Sequence, residues 1–225
     1  MTDHPPAALP WTRDLFLRMR EHFWLKFIGT VAWVWVFFIG YFHLLRNPAH
    51  PVAVMPLTPI DLWVPFQPGW LLPYLSLWVY VGIAPGLQRG LGSLLAYGFW
   101  SAALCLAGLG LFWLWPTQIP PMPVPAGAPG FALLQGIDAA GNACPSMHVA
   151  ISIFTAVWLE HLLRRTGAPA VLRLLNIAWF MAIAYSTLAV RQHVLWDVLA
   201  GAALGAVFAA ASLRWRPAEP PVAAK

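Results

Sequence analysis

The chain has 225 residues, of which 60% are hydrophobic and only 9% are charged, and its mean hydropathy is +0.67. A soluble domain of this length carries charge over most of its surface, so the composition excludes an ordinary soluble protein and indicates an all-α polytopic membrane protein. The net charge of +5 does not indicate nucleic-acid binding, because the basic residues stand at the ends of apolar runs, where they determine membrane topology.

Apolar runs follow one another along the chain, most of them close to the roughly 20 residues that a helix needs to cross a bilayer. They predict a bundle of six transmembrane helices at 24–45, 70–87, 91–115, 147–163, 171–190 and 194–213. The membrane domain is therefore expected to cover 24–214, between a cytoplasmic N-terminal segment, 1–23, and a disordered cytoplasmic tail, 215–225. No signal-peptide cleavage site follows the first run, so this run is expected to be a retained anchor.

The orientation of the bundle follows from its basic residues. If the N-terminus is cytoplasmic and six spans alternate, all of the 13 Lys and Arg residues except Arg46 and Arg191 fall on the cytoplasmic side. This asymmetry is the one that the positive-inside rule requires, and it predicts two cytoplasmic termini in a bacterial inner or plasma membrane. The segment before the fourth run and the turn before the sixth run then both face the outside.

His193 and Asp197 stand at the beginning of the sixth run. A spacing of four places both side chains on one face of a helix, one turn apart. An Asp inside a membrane span is costly unless it has a partner or faces a wet cavity. The pair is either a structural lock between helices or a catalytic pair in which Asp197 orients the imidazole and makes it a better nucleophile.

The segment GNACPSMH, 141–148, leads into the fourth run. Pro145 suits the beginning of a helix, and the Ser146 side chain can accept hydrogen bonds from the first backbone amides. A helix N-terminus binds anions readily, and His148 lies in this first turn. By itself the segment is more typical of a structural helix start than of an active site.

Together, P-S-x-H at the start of one span and S-T-x5-H-x3-D at the start of a span two later resemble the type 2 phosphatidic acid phosphatase superfamily. Its members are six-span, metal-independent membrane phosphatases and phosphotransferases, and the resemblance covers roughly the C-terminal half of the chain. It implies that His193 attacks phosphorus and forms a phosphohistidine, that Asp197 orients His193, and that His148 protonates the leaving oxygen. Ser146 matches the phosphate-binding serine of the second motif and Ser186 the serine that opens the third, so the resemblance implies that both bind the substrate phosphate. The resemblance implies no metal or other cofactor.

The chain departs from the family's pattern at the residues that hold the phosphate. The first motif, a Lys followed seven residues later by Arg-Pro, is absent, and Thr187 stands where an Arg normally follows the third-motif serine. Phosphoryl transfer needs positive charge beside the developing negative charge. Arg191 is the candidate replacement, with Thr187 as a further phosphate ligand; the alternative role of Arg191 is an interfacial anchor. These departures resemble the inositol phosphorylceramide synthase branch, whose members transfer a phospho-headgroup between lipids.

The sequence therefore predicts an integral membrane phosphoesterase that acts on a lipid phosphate, such as a polyprenyl or phospholipid phosphoester, and releases phosphate at the outer face. The proline-rich loop, 116–146, is expected to form part of a rim or lid. A lipid or sugar hydroxyl in place of water makes the enzyme a phosphotransferase. A non-catalytic transporter or scaffold, with the His193–Asp197 pair in proton coupling or packing, is the alternative from a different class. Haem ligation by two facing histidines is disfavoured, because it leaves Asp197 unexplained.

Overall fold

The computed structural model describes residues 10–123 and 141–219, so most of the proline-rich loop and the ends of both terminal segments lie outside the described residues. Within these ranges the chain is almost entirely helical. Its α-helices are α1 (Trp11–Arg20), α2 (Phe23–Arg46), α3 (Pro59–Trp63), α4 (Leu71–Gly86), α5 (Gly90–Leu114), α6 (Met147–Arg165), α7 (Ala170–Ala189) and α8 (Leu195–Arg214). A single 3₁₀ turn, Pro68–Trp70, precedes α4, and two short strands, β1 (Ala53–Val54) and β2 (Thr117–Gln118), pair in parallel.

Four of the described helices are long and apolar enough to cross a membrane, namely α2, α5, α7 and α8. They identify the chain as an integral membrane protein. The prediction of six spans is therefore confirmed for four helices only. The second predicted span corresponds to α4, which has only 16 residues. The fourth corresponds to α6, which carries Glu160, Arg164 and Arg165 near its C-terminal end.

The helix α6 lies in the middle of the bundle. It packs most extensively against α8 and also contacts α4, α5 and α7. Val149, Ala150 and Phe154 on α6 are completely buried. A helix surrounded by other helices does not need an apolar surface toward lipid, so it can carry polar residues that a peripheral span cannot.

Asn176, a polar residue inside the fifth apolar run, joins three helices of the bundle. Its side-chain amide donates to the carbonyl of Ala156 on α6 at 2.9 Å, and its oxygen accepts from the Tyr80 hydroxyl on α4 at 2.8 Å. A buried amide is tolerated in a membrane protein when its polar atoms are paired in this way. Asn176 therefore stabilises the packing of α4, α6 and α7 around one another.

Two glycines allow α8 to lie directly on α6. A Cβ atom at Gly201 would overlap the carbonyl oxygen of Ser146, and one at Gly205 would overlap that of Ala150. The four-residue spacing places both glycines on one face of α8, which is the G-x-x-x-G pattern of closely packed membrane helices. Because Ser146 begins α6, this contact sets the distance between the beginnings of α6 and α8.

Replacing Gly201 with valine is expected to destabilise the protein and to abolish its activity. The new side chain must displace the Ser146 backbone, and such overpacking costs about 1–3 kcal/mol. Thermal unfolding in detergent and phosphate release measure the two effects. Gly92→Val is the matched control, because no atom lies within 4 Å of a Cβ at Gly92. An unchanged melting temperature and turnover in Gly201→Val would show that α8 does not need this close contact.

Both ends of the described chain meet at one end of the bundle. Arg18 of α1 forms an ion pair with Glu219 at 2.8 Å, and Arg165 at the end of α6 lies 3.5 Å from the same carboxylate. Burial alone would raise the pKa of Glu219, but the hydrogen bonds from Arg18 and the positive charges of Arg18, Arg165 and Arg89 together outweigh it and hold this pKa below its usual range. The segment after α8 is thus held by ion pairs as far as Glu219.

Candidate active site

The beginnings of α6 and α8 lie next to each other, which brings the two predicted motifs together. The backbone N–H of Ser146 donates to the carbonyl of Asp197 at 2.9 Å. The ring centroids of His148 and His193 are 5.9 Å apart. Two segments that are distant in sequence therefore form a single site at one end of the bundle.

Asp197 and His193 form a pair at the start of α8. The Oδ2 atom of Asp197 accepts the backbone N–H of Val194 at 3.0 Å and lies 3.4 Å from Nδ1 of His193. Asp197 is fully buried, and His193 is only 7% exposed. Nδ1 of His193 makes no hydrogen bond among the described residues, although it lies within ion-pair distance of Asp197. Catalytic hydrogen bonds are often long or poorly aligned without substrate and tighten in the Michaelis complex.

Ser146 is the N-cap of α6, as the sequence predicted. Its Oγ atom accepts the backbone N–H of Val149 at 3.4 Å, and the residue is fully buried. The first amides of a helix have no partner inside the helix, and together with the helix dipole they favour an anion. An anion at this N-terminus lies beside His148, which is in the first turn.

Ser186 and Thr187 lie in the last turn of α7 and are both fully buried. The Ser186 hydroxyl donates to the carbonyl of Ile183 at 2.6 Å, and the Thr187 hydroxyl donates to that of Ala184 at 2.8 Å. Their hydroxyl protons are thus used within the helix, and phosphate binding through them requires rotation of the side chains. The carbonyl of Thr187 has a separate role, because it accepts the backbone N–H of His193 at 3.1 Å.

Arg191 lies in the turn between α7 and α8 and has a left-handed backbone, with φ of 59°. Its Nη1 atom donates to the carbonyl of Asp61 at 2.6 Å and to the sulfur of Met122 at 3.3 Å. Its Nε atom is buried and makes no hydrogen bond to the described residues. The guanidinium therefore holds the turn before His193 against α3, and its Nε–H group is a donor that an anion can use.

Asp61 is a site residue that the sequence analysis did not select. One carboxylate oxygen accepts the backbone N–H of Leu195 at 2.8 Å, and the other accepts the backbone N–H and hydroxyl of Thr58, both at 2.7 Å. Asp61 thereby caps α3 and also holds the first residue of α8. The T-x-x-D spacing of the cap is visible in the sequence. The contact with Leu195 is not, because it depends on how α3 packs against α8.

Two aromatic side chains of α4 hold His148, and neither was predicted. The Tyr74 ring stacks on the imidazole, with centroids 4.5 Å apart and planes 23° apart. Trp78, one turn further along α4, meets it edge-on at 6.2 Å. Tyr74 is only 2% exposed. Stacking of this kind fixes the orientation of a ring, so α4 positions His148 relative to His193.

Replacing Tyr74 with leucine is expected to lower kcat about ten- to a hundredfold with little change in KM, because a misplaced catalytic group slows the chemical step. Tyr74→Phe keeps the aromatic face and should retain most of the activity. Steady-state kinetics across a range of pH separate the two variants. Equal kinetics of Tyr74→Leu and the unaltered protein would show that the stack does not position His148.

Cys144 lies immediately before the motif, and its chemistry bears on the choice of nucleophile. Burial, and secondarily the nearby Asp197, raises the pKa of its thiol to about 11. At neutral pH the group is therefore protonated and a poor nucleophile. Its backbone N–H donates to Thr117 Oγ1 of β2 at 2.8 Å, which is a structural contact. Within 10–123 and 141–219, no cluster of three His, Cys, Asp or Glu residues with metal-binding geometry is present.

A cavity of about 480 Å³ reaches the two histidines. It is lined mainly by apolar residues of α2, α4 and α5, and Tyr74, His148 and His193 lie at one end. An apolar cavity that ends at a few polar groups is typical of a site for an amphipathic ligand.

The fold and the site together define a class: an integral membrane protein with a His–Asp pair and a second histidine at the head of an apolar cavity. A family model described as the PAP2 superfamily matches residues 94–221, more than half of the chain, and the protein belongs to this superfamily. The match covers most of α5, all of α6 to α8, and both motifs. Membership indicates a lipid phosphoesterase of the phosphatase or phosphotransferase type. No curated protein and no solved structure matches the chain.

Proposed function

We propose that this protein is a metal-independent phosphatase of a lipid phosphate, and that it works through a phosphohistidine at His193. The observation that supports this most is the meeting of the two motifs. The His193–Asp197 pair, with 3.4 Å between Nδ1 and Oδ2, lies beside His148, whose ring centroid is 5.9 Å from that of His193. A candidate nucleophile, the carboxylate that would orient it and a candidate proton donor thus lie where the N-termini of α6 and α8 meet.

In the first step, Nε2 of His193 attacks phosphorus and forms a P–N bond while the P–O bond to the lipid breaks. Asp197 accepts the Nδ1–H hydrogen bond and balances the positive charge of the phosphohistidine. His148 donates its proton to the leaving oxygen, so the lipid departs as a neutral alcohol. In the second step, the neutral His148 takes a proton from a water molecule, which attacks phosphorus, breaks the P–N bond and releases phosphate.

The non-bridging phosphate oxygens are proposed to bind at the N-terminus of α6, near Ser146, with Arg191 supplying positive charge. Ser186 and Thr187 join them only if their hydroxyls rotate out of the α7 hydrogen bonds. The unpartnered Nε of Arg191 supports the assignment of this residue.

Arg191→Gln is expected to lower kcat/KM about a hundredfold and to weaken inhibition by vanadate, because it removes charge that stabilises the transferring phosphoryl group. Arg191→Lys should retain part of the activity. Arg46→Gln is the matched control, since Arg46 is the other basic residue that the topology places outside. Unchanged turnover in Arg191→Gln would remove Arg191 from the phosphate site and leave it as an anchor.

We also propose that α4 and α6 complete a six-span domain, 24–214, with both termini cytoplasmic and the histidines on the outer face of a bacterial inner or plasma membrane. The basic residues support this orientation. At the end of the bundle where the chain ends meet stand Arg13, Arg18, Arg20, Lys26, Arg89, Arg164, Arg165, Arg173, Arg214 and Arg216. Only Arg46 and Arg191, among the described residues, stand at the other end. Labelling of single cysteines in intact cells, placed near Asn47 and near Gly167, tests the orientation.

The experiment for the proposed activity is a phosphate-release assay on phosphatidic acid, lysophosphatidic acid and polyprenyl phosphates, run with EDTA. Vanadate-sensitive release that persists in EDTA supports a metal-independent histidine phosphatase. Release that EDTA abolishes contradicts the proposed metal independence. No release from any of these lipids, by protein that is folded and inserted, contradicts the phosphatase activity.

A phosphotransferase is the second candidate, and two observations favour it. Thr187 replaces the usual arginine, as in the inositol phosphorylceramide synthase branch, and His193 is only 7% exposed. A buried nucleophile favours an acceptor that enters from the lipid over bulk water. Labelled acceptor lipids distinguish the two activities, because a transferase forms labelled phospholipid in place of free phosphate.

A further inference from the structure

The cavity beside the histidines is a long slot that runs along the helices. On α2 its lining extends from Leu25 to Tyr41, and on α4, which runs in the opposite direction, from Tyr74 to Pro85. At about 1.5 Å per residue, the lining on α2 is about 24 Å long. One leaflet of a bilayer is about 15 Å of hydrocarbon, half of the usual core thickness. The slot is therefore at least as deep as one leaflet.

Lys26 forms the end of the slot that is far from the histidines. Its Nζ atom donates to the carbonyls of Arg18 at 2.7 Å, Gly86 at 3.0 Å and Gln88 at 2.7 Å. An ammonium group has three N–H donors, so all of them are used by the protein. Lys26 thus closes the slot as a polar end, and it is not a second phosphate site.

The deep half of the slot exists because two residues there have no side chain. Gly29 on α2 and Gly98 on α5 both line it, and no atom lies within 4 Å of a Cβ built at either position. Leu95 and Phe99 beside Gly98 also line the slot and are 68% and 66% exposed. The slot is therefore open sideways, toward the hydrocarbon of a bilayer.

We propose that this slot binds the hydrocarbon chain of the lipid phosphoester and that Gly29 and Gly98 determine chain-length specificity by leaving room for its distal half. The occupant is the substrate's own chain, because the slot is continuous with the histidines, apolar along its length and as deep as a leaflet. A substrate whose phosphate lies at His193 then places its chain alongside α2. This inference rests on the proposed function and adds to it a substrate class, lipids with a chain that is at least as long as a leaflet is deep.

Gly98→Leu tests the proposal by filling the slot. On palmitoyl lysophosphatidic acid we expect kcat/KM to fall about tenfold or more, the effect of a few misfitted methylenes in an apolar pocket. The chain of hexanoyl lysophosphatidic acid is too short to reach Gly98. Gly98→Leu should therefore turn this lipid over at the same rate as the unaltered protein. Gly92→Leu is the matched control on the same helix, because Gly92 is also uncrowded but does not line the slot.

Equal rates for Gly98→Leu and the unaltered protein on both lipids would overturn the proposal, as would an equal loss on both. No phosphate release by the unaltered protein is a failure of the proposed phosphatase function, and a second measurement then decides about the slot. Palmitoyl lysophosphatidic acid with a diazirine at its chain end should photolabel α2 and α5 close to Gly29 and Gly98. Gly98→Leu should lower this labelling severalfold. Labelling spread evenly over the lipid-facing helices, or unchanged by Gly98→Leu, would contradict the proposal.

Discussion

Replacing His193 with alanine is expected to reduce phosphate release from a lipid phosphate by at least about a thousandfold, because removal of a covalent nucleophile leaves only the contribution of the remaining binding groups. The residue is buried, paired with Asp197 and held by the carbonyl of Thr187. The Cys144 thiol cannot take over the attack, since it is protonated at neutral pH, with a pKa raised to about 11 by burial. Initial rates on the best lipid of the panel measure the loss.

The control for this prediction is His43→Ala, which removes an exposed histidine near the end of α2. It should leave both turnover and thermal unfolding unchanged. His193→Ala should also unfold close to the normal temperature, because within 10–123 and 141–219 the imidazole makes only one polar side-chain contact, to Asp197. Activity of His193→Ala comparable to that of His43→Ala would exclude His193 as the nucleophile and favour the non-catalytic role of the His–Asp pair.

Replacing His148 with asparagine is expected to slow phosphate release from an alkyl phosphate about a hundred- to ten-thousandfold, the usual contribution of a general acid or base. The effect should depend on the leaving group. An alkoxide must be protonated as it leaves, whereas p-nitrophenolate leaves without a proton. With p-nitrophenyl phosphate the first step should therefore be nearly normal in His148→Asn, while hydrolysis of the phosphohistidine stays slow.

Rapid mixing of His148→Asn with p-nitrophenyl phosphate measures this directly. A burst of one p-nitrophenolate per enzyme, followed by slow turnover, is the expected result. Tyr74→Leu, in which the stacked ring is lost but His148 remains, should show the same pattern in weaker form. If His148→Asn lost activity equally on the alkyl phosphate and on p-nitrophenyl phosphate, and showed no burst, His148 would act in some way other than proton transfer, such as in packing against α4.

The sequence predicted the meeting of the two motifs because a membrane protein has few arrangements open to it. Successive spans alternate in direction, so the fourth and sixth apolar runs begin at the same end of the bundle. The segments 141–148 and 191–197, which precede or open these runs, do lie together there. The N-cap at Ser146 was also predictable, because it depends on a few neighbouring residues. The N-cap is a local property and the shared end of the two motifs is a topological one, so each can be predicted from a single sequence.

Other parts of the site depend on which helices become neighbours, and no local pattern encodes this. In the sequence, nothing distinguishes Tyr74 from the other aromatic residues of its apolar run. Its contact with His148 arises only because α4 packs against α6. Asp61 is visible as a cap of α3, but its bond to Leu195 arises only from tertiary packing. The hydroxyls of Ser186 and Thr187 were predicted to face phosphate, yet both donate to their own helix. Ser152 and Thr155, two polar residues of α6 that are fully buried, are tolerated because other helices surround this helix, which composition alone does not reveal.

The most direct test of the account is to trap the phosphorylated protein. His148→Asn, mixed with radiolabelled phosphate ester and quenched in alkali, should carry label that is stable to base, is lost in mild acid and maps by mass spectrometry to His193. The double variant with His193→Ala should carry none. Label on a residue other than His193, or label on the double variant that lacks His193, would contradict the central claim that His193 attacks phosphorus.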